Sequence, residues 1–515
     1  MTTTLTPLHS SKQWLDRVTG RVTMYRLVLV LLAAIAVIAL VLAALGQLSY
    51  TLPALLASLA VTVVVTVVTS WLFALVFRGR AHLESSIITG LLLFFVLLPT
   101  IEVGQLLVLA LAGVIASLSK YLLAIRGRHI FNPAAIAALI VTATGLTYSG
   151  WWTSTAILLP FVAVAAFLVL YRTRRLGMGL IFIVLAAAII VVRMMSTGSD
   201  VGSAIVTAFT SYPIVFLAGF MLSEPLTLPP RRWQQWGLAG LVAVLFAVPF
   251  SVPLIIGAAV LYSSPQLALV LGNLVAFFFG QRRALKLSLA SKTQLTPTTW
   301  EFAFEPAQPV AFRPGQYMEL TLPHGRADVR GSRRVFSISS APATGPVTFA
   351  IKDGPSSFKR ALLALEPGAV VRGTSVGGDF ALPADVATPV LLVAGGIGIT
   401  PFASQLAHAA VNGHNRDVVV VYSVSDQSEL AYADILESSG ARVVLLSPSS
   451  PANLPVGWTW AGNGRITTEL LEREVPDAAA RRAFVSGPPS LVNDVRTMLR
   501  ALGAKRVTAD YFSGY

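Results

Sequence analysis

The sequence predicts a polytopic α-helical membrane domain of about ten helices, followed by an antiparallel β-barrel and a C-terminal α/β domain. Three observations predict it. The 515 residues are 55% hydrophobic and 12% charged, with a mean hydropathy of +0.72, too apolar for a chain lying wholly in water. Apolar runs of about 20 residues, enough to cross a hydrocarbon core of about 30 Å, recur from Tyr25 to Gly280 and then stop. Beyond Lys286 the pattern is that of ordinary globular sequence. The division is an N-terminal segment at 1–24, a transmembrane domain at 25–286, a barrel at 287–387 and an α/β domain at 388–515.

Taken in order, helices are expected near 25–46, 53–77, 86–98, 103–123, 133–147, 154–172, 177–195, 204–222, 236–262 and 265–281. The first run follows a polar segment and is too long for the apolar region of a cleaved signal, so it reads as a retained helix. The runs at 86–98 and 133–147 are too short to span at about 1.5 Å per residue, and they end or start at Pro99 and Pro133. LSEPLTLPP after Leu222 and SPQLALVLGNL from Ser264 echo HLESSIITG and NPAAIAALI. Five helices per half would make these repeats inverted, an arrangement that places binding sites at the repeat interface.

The net charge of +14 does not signal nucleic acid. Residues up to Lys286 hold 18 Lys/Arg against 5 Asp/Glu, and the remainder hold 20 against 19. With alternating helices and a cytoplasmic N-terminus, Lys12, Arg17, Arg21, Arg26, Arg78, Arg80, Lys120, Arg126, Arg128, Arg172, Arg174, Arg175, Arg231, Arg232, Arg282, Arg283 and Lys286 fall inside and Arg193 outside. That asymmetry is the positive-inside pattern. It implies a multi-pass plasma-membrane protein with its N-terminus and C-terminal module cytoplasmic. The absence of cysteine excludes disulfides and cysteine-held iron–sulfur clusters in this chain, and no metal site is expected.

After the membrane half, TWEFAFEP, YMELTLP, RVFSISSAP and VTFAIKDG read as strands of a small barrel, and from Pro389 VLLVAG, a Gly-rich turn, a helix and VVVVYSV read as a parallel α/β domain. RPGQYMEL, RRVFSISSAP, KDGPSSFKRAL, LLVAGGIGITP, FVSGPPSLV and the terminal DYFSGY follow one another in order. Together these motifs resemble the ferredoxin-NADP reductase superfamily over the whole C-terminal region. The resemblance implies an FAD-binding barrel and a nicotinamide-nucleotide domain. Arg334, Val335, Phe336 and Ser337 then form the flavin strand, with the arginine near the diphosphate, Ser337 near the isoalloxazine, and Phe336 where the family usually has tyrosine. Lys352, Gly354, Ser356 and Ser357 follow at the diphosphate. Those serines read equally as an ordinary helix cap.

Gly395, Gly396, Gly398, Thr400 and Pro401 open a helix after a buried strand, where absent side chains admit a dinucleotide backbone. Gly487 and Pro488 resemble the family's second nicotinamide motif, with Ser486 where a cysteine is common. Tyr515 resembles the terminal aromatic that covers the flavin, which makes Ser337 and Tyr515 the candidate catalytic residues. YSVSDQSELAY holds no arginine for a 2′-phosphate, and Asp426 would repel one, so NADH is expected over NADPH.

The membrane half, through HLESSIITGLLL with LLPT, GRHIFNPAA and GFMLSEPLTLPP, resembles NqrB and RnfD, membrane subunits of the sodium-pumping NADH:quinone oxidoreductase and Rnf complexes. That resemblance implies a membrane flavin, FMN or riboflavin, with Asn132, Pro133, Glu224 and Thr227 near the site or pathway. As the bland alternative, the prolines merely start helices and Glu84 and Glu224 are interfacial. The family's flavin-bearing threonine segment reads YSGWWTSTAI here, so Thr153 and Thr155 are the candidates and non-covalent binding beside Trp151 and Trp152 is expected. An interfacial aromatic belt reads those tryptophans equally well.

The expected activity is electron transfer from NAD(P)H through FAD into a membrane flavin, then to quinone or an extracytoplasmic flavoprotein, with or without ion transport. One alternative is a solute or ion transporter with a regulatory reductase domain. A haem-type ferric reductase would need four axial histidines in the bundle, where His82 and His129 are the candidates beyond His9.

Overall fold

The computed structural model describes residues 24–77, 82–125, 128–253, 260–279, 285–325, 328, 332–463 and 465–512. Tyr515 and the basic residues Lys12, Arg17, Arg21, Arg78, Arg80, Arg126, Arg282 and Arg283 lie outside them. The chain divides into two compact units, Met1–Gly280 and Gln281–Tyr515.

The first unit is built from α1 (Met24–Ala44), α2 (Leu52–Val76), α3 (Leu83–Val96), α4 (Val103–Leu122), α5 (Pro133–Ala143), α6 (Leu159–Arg172), α7 (Leu176–Ser196), α8 (Val201–Thr210), α9 (Ile214–Met221), α10 (Arg232–Ala247) and α11 (Pro265–Phe278). Among the described residues α1, α2, α4 and α7 are long and apolar enough to cross a membrane, and α8 with α9 adds a fifth if that bent pair is one span. Helices α3, α5, α6 and α11 are apolar but shorter.

Two expected helices differ. The run at 204–222 is broken, with α8 and α9 meeting at 49° around Pro213. Proline there removes a helix donor and crowds the preceding turn. The run at 236–262 stays helical only to Ala247, then enters an antiparallel pair, β3 (Ser251–Pro253) and β4 (Val260–Tyr262). Pro249 drives its predecessor Val248 to an extended ψ of 122°, which ends the helix. Another short pair, β1 (Ala124–Ile125) and β2 (Arg128–His129), precedes α5.

Packing repeats between the halves. In the first, α2 packs on α3 and α4, α1 on α3, and α4 on α5. In the second, α7 packs on α8, α9 and α10, α6 on α9, and α10 on α11. The halves meet through α1 with α6 and α5 with α11. Helices α5 and α11 start alike: Asn132 Oδ1 accepts from Ala135 N at 3.0 Å and Ser264 Oγ from Leu267 N at 3.3 Å, each cap followed by proline.

In the second unit, β5 (Leu285–Thr296), β6 (Thr299–Pro306), β7 (Tyr317–Thr321), β8 (Arg333–Ser337), β9 (Val347–Lys352) and β10 (Val370–Gly377) form an antiparallel sheet in the order β8-β7-β10-β5-β6-β9. A bridge between Ile338 and Phe349 joins its two ends, so the sheet closes around Leu287, Phe302, Phe304, Met318 and Phe349. Helix α12 (Ser357–Leu363) follows β9.

The remaining strands β11 (Val390–Gly395), β12 (Val418–Ser423), β13 (Arg442–Leu446), β14 (Trp458–Trp460), β15 (Arg482–Gly487) and β16 (Val507–Tyr511) are all parallel, ordered β14-β13-β12-β11-β15-β16. Helices α13 (Thr400–Val411), α14 (Ala433–Ser438), α15 (Thr468–Glu474) and α16 (Pro489–Ala501) connect them. VLLVAG is buried throughout because apolar clusters cover both sheet faces.

Candidate functional site

The chain runs from β11 outward through β12, β13 and β14, then returns to the other side of β11 with β15 and β16. Strand order therefore reverses between β11 and β15, and a ligand crevice opens at the carboxyl ends of strands at such a switch. Gly395 and Gly487 terminate those two strands. A Cβ on Gly398 would lie 2.5 Å from the Ser486 carbonyl oxygen and 2.7 Å from the Gly487 backbone. Gly487 has φ +148° and Gly396 φ +52°, conformations that favour glycine. Thr400 and Pro401 begin α13 directly behind the turn, and Pro488 precedes α16. The nucleotide candidates thus converge on one edge. Ser486 Oγ is buried there with no hydrogen-bond partner among the described residues.

The flavin candidates sit on β8 and the β9–α12 turn. Side chains alternate along β8, burying Arg334 and Ser337 and leaving Val335 55% exposed. The Arg334 guanidinium lies 5.3 Å from the Phe358 ring centroid and donates to Asp328 Oδ1 at 3.3 Å. Phe336 packs on the same Phe358 at 5.8 Å, an apolar surface with no hydroxyl. Ser357 N donates to Asp328 Oδ2 at 3.1 Å, and Ser357 Oγ meets His324 Nε2 at 2.9 Å. Ser356 caps α12 without using its hydroxyl, and that buried Oγ has no partner among the described residues. The cation and the idle hydroxyl fit an anionic diphosphate. Sequence reasoning did not single out Asp328 and His324, since neither belongs to a motif. Gly354 N bonds to Asp353 Oδ1 at 2.6 Å, and Lys352 Nζ lies 3.8 Å from Glu429 Oε2.

Beyond β12, Asp426 accepts from Ser428 N at 2.8 Å and Ser428 Oγ at 2.6 Å. The Ser428 hydroxyl, then its amide, hold the Asp426 carboxyl below its ordinary value, so the side chain is ionised at neutral pH.

In the first unit, Glu224 joins the candidates. Its Oε1 lies 2.9 Å from His129 Nε2, and its Oε2 accepts from Asn132 Nδ2 at 2.8 Å. Asn132 N in turn donates to Asn273 Oδ1 of α11 at 2.8 Å. Thr227 is fully buried and donates to the Glu224 carbonyl at 3.3 Å. Glu224, Asn132 and Pro133 line a small recess with Ser85, Thr89, Thr173 and Ser223. Lys120 Nζ donates to Ser85 Oγ at 3.2 Å.

Thr153 and Thr155 belong to the opposite end of α5 rather than to this cluster. There Gln266 of α11 accepts from Trp151 Nε1 at 3.1 Å and donates to Ser149 Oγ at 3.0 Å and Thr142 Oγ1 at 3.3 Å. These bonds at both ends make α5 and α11 antiparallel. Trp151 and Trp152 are 4% exposed, and Trp152 Nε1 donates to the Phe94 carbonyl, so both rings pack inside this unit. Hydroxyls of Thr153 and Thr155 are buried with no partner among the described residues. Asn273 and Gln266 escaped the sequence reading, although lone amides within an apolar run were the available signal.

Residues 392–497 match the family described as oxidoreductase NAD-binding domain. The chain is 28% identical over 229 residues to the toluate 1,2-dioxygenase electron transfer component of Pseudomonas putida, covering 43% of this chain and 65% of that protein. It is 28% identical over 221 residues to an NADPH oxidoreductase of Mycobacterium tuberculosis, covering 42% of this chain and 54% of that one. A cytochrome P450 reductase from Amycolatopsis aligns with 45% of this chain and 70% of its own at 23% identity and a TM-score of 0.39. The chain thus spans less than two thirds of the length of the curated relatives it matches. The C-terminal unit carries an oxidoreductase NAD-binding domain and is similar to reductase and electron transfer components of such enzymes.

Proposed function

We propose that the chain is a membrane NAD(P)H-dependent flavin oxidoreductase, multi-pass in the plasma membrane, that passes electrons from cytoplasmic nucleotide through its reductase module into a membrane flavin relay. Quinone or an extracytoplasmic flavoprotein is the terminal acceptor. The observation that carries this reading is the backbone apposition of Gly395, Gly398 and Gly487 at the switch point, in a chain whose other unit is a helical bundle.

When bound, FAD accepts a hydride and gives up electrons one at a time, which suits a two-electron donor feeding a one-electron path. Arg334 would hold the diphosphate side by charge, Ser356 would add its idle hydroxyl, the Ser357 amide would have to exchange the Asp328 carboxylate for the diphosphate, and Ser337 would supply a hydroxyl near the flavin ring. Gly395, Gly396, Gly398 and Gly487 let the nucleotide approach main chain closely, with Thr400 and Pro401 fixing the turn. Asp426 repels a 2′-phosphate and favours NADH. By resemblance to the reductase family, Tyr515, which lies outside the described residues, is the candidate for the aromatic that would cover the flavin. In the membrane unit, the resemblance to NqrB and RnfD motivates an FMN or riboflavin held without a covalent bond near Trp151, Trp152, Thr153 and Thr155, whose idle buried hydroxyls are compatible with a polar ligand.

The His129–Glu224–Asn132 cluster supports a second reading, coupling of electron flow to ion movement, because an acid inside a bundle is retained for such roles. Sodium or proton uptake by proteoliposomes on NADH addition, lost in Glu224→Gln, is its expected signature.

The test of the main reading is the absorption spectrum and released-flavin chromatography of detergent-purified protein before and after NADH and NADPH. FAD plus a second flavin, both bleached by nucleotide, is the expected result. FAD alone removes the membrane relay, and a haem Soret band overturns the reading.

A further inference from the structure

Two carboxylates cross the seam between the barrel and the α/β domain in opposite directions. Glu301 of β6 accepts from Tyr432 Oη of the α/β domain at 2.7 Å and from Ser339 Oγ at 2.9 Å. Ser339 lies two residues past Ser337, just beyond the end of the strand expected to carry the flavin, and its hydroxyl also meets Thr348 Oγ1 of β9 at 2.6 Å. Glu429 of the α/β domain accepts from Thr298 Oγ1 at 2.6 Å and Thr296 Oγ1 at 3.1 Å, both at the β5–β6 turn. Its side chain is 11% exposed.

Both α/β residues belong to the segment 424–432, which leaves the carboxyl end of β12 and carries Asp426. Tyr432 is buried and held at φ +59°. A residue with a Cβ keeps that conformation only where its surroundings impose it. The short segment is therefore fastened to the barrel through Glu429 and Tyr432, while its first residues emerge at the edge expected to receive the nucleotide.

We propose that Glu301 and Glu429 are positioning residues for hydride transfer. They hold segment 424–432 in register with the flavin strand, so that a nucleotide seated at the sheet edge meets the flavin at reacting distance. The inference rests on the reading that NAD(P)H reduces FAD in this module. In that step the nicotinamide C–H bond breaks and a flavin N–H bond forms. One proton and two electrons move together, oxidising the nucleotide and reducing the flavin. Neither carboxylate touches the reacting atoms. Their effect is geometric, and a misplacement of about 1 Å at a reacting centre costs up to about 100-fold in rate.

The experiment is single-turnover bleaching of FAD by saturating NADH in the full-length protein, with protiated and 4-deuterated nucleotide. Glu301→Ala and Tyr432→Phe are expected to bleach about 10- to 100-fold more slowly, with FAD content unchanged and a larger isotope effect. Glu301→Gln keeps an acceptor oxygen for both hydroxyls and is expected to stay within about threefold of the parent. Glu429→Ala is expected to slow bleaching as Glu301→Ala does. Parent-like rates in Glu301→Ala, Tyr432→Phe and Glu429→Ala overturn the proposal. If Glu301→Ala loses its FAD, Tyr432→Phe decides, since it removes a single oxygen. A parent protein that neither NADH nor NADPH bleaches overturns the underlying reading, which is distinct from variants that match an active parent.

Discussion

At the scale of single residues, the sharpest constraint is Gly398. Its missing Cβ would stand 2.5 Å from a carbonyl oxygen that belongs to the neighbouring strand end, so nothing flexible can yield. Gly398→Ala is expected to raise the KM for NADH by about tenfold or more while FAD stays bound, measured by steady-state kinetics and flavin content. Arg334 uses a planar fork and a ring face at once. Arg334→Lys keeps the charge but loses that geometry, and FAD retention through gel filtration is expected to fall by about tenfold. Asp477 provides a pH test, because the Arg481 hydrogen bond holds its carboxyl below the ordinary value. A depressed carboxyl contributes stability above its unfolded value of about 3.9 and loses it as pH falls through the folded value. Its side chain is half exposed, so the contribution is below about 1 kcal/mol. Asp477→Asn should lower the reductase melting temperature slightly at pH 7 and not at all near pH 2.5. Gly398 was legible as part of a motif, but the reason for it was not, since the strand end it abuts is far away in sequence.

At the scale of elements, periodicity located the helices and missed how they break. Pro213 and Pro249 are visible in the sequence, yet a proline can kink a helix, end it or merely start the next one, and the choice depends on neighbouring packing. The turn Leu217–Met221 of α9 is π-wound and passes so close to α6 that a Cβ on Gly219 would lie 2.4 Å from Ala166 Cβ and 2.7 Å from its Cα. Gly219→Ala is expected to destabilise the detergent-purified protein by about 1–3 kcal/mol, read as a lower melting temperature. Gln266 makes three bonds at the far end of α5, one of them to a tryptophan at φ +41°. Replacing it by Leu leaves the buried Trp151 indole N–H without its acceptor, at a cost of about 1–3 kcal/mol. The two amide links between α5 and α11 were invisible because the partners lie over a hundred positions apart.

At the scale of the whole molecule, each unit has its own apolar core, and the charge and hydropathy both change at their junction. A chain severed between the units is therefore expected to yield a reductase fragment that holds FAD and is bleached by nucleotide without the bundle, checked by absorption after purification. Composition, apolar run length and the order of the glycine-rich motifs determined the two-part plan, the parallel and antiparallel sheets and the candidate residues of the nucleotide edge, because each is written within a few consecutive positions. The strand order that puts Gly395 beside Gly487, the amides that bind α5 to α11, the burial of Trp151 and Trp152 and the paired carboxylates at the barrel seam were decided only in the tertiary structure. Each joins segments whose separation along the chain leaves no local pattern, and only folding gives their hydrogen bonds a partner.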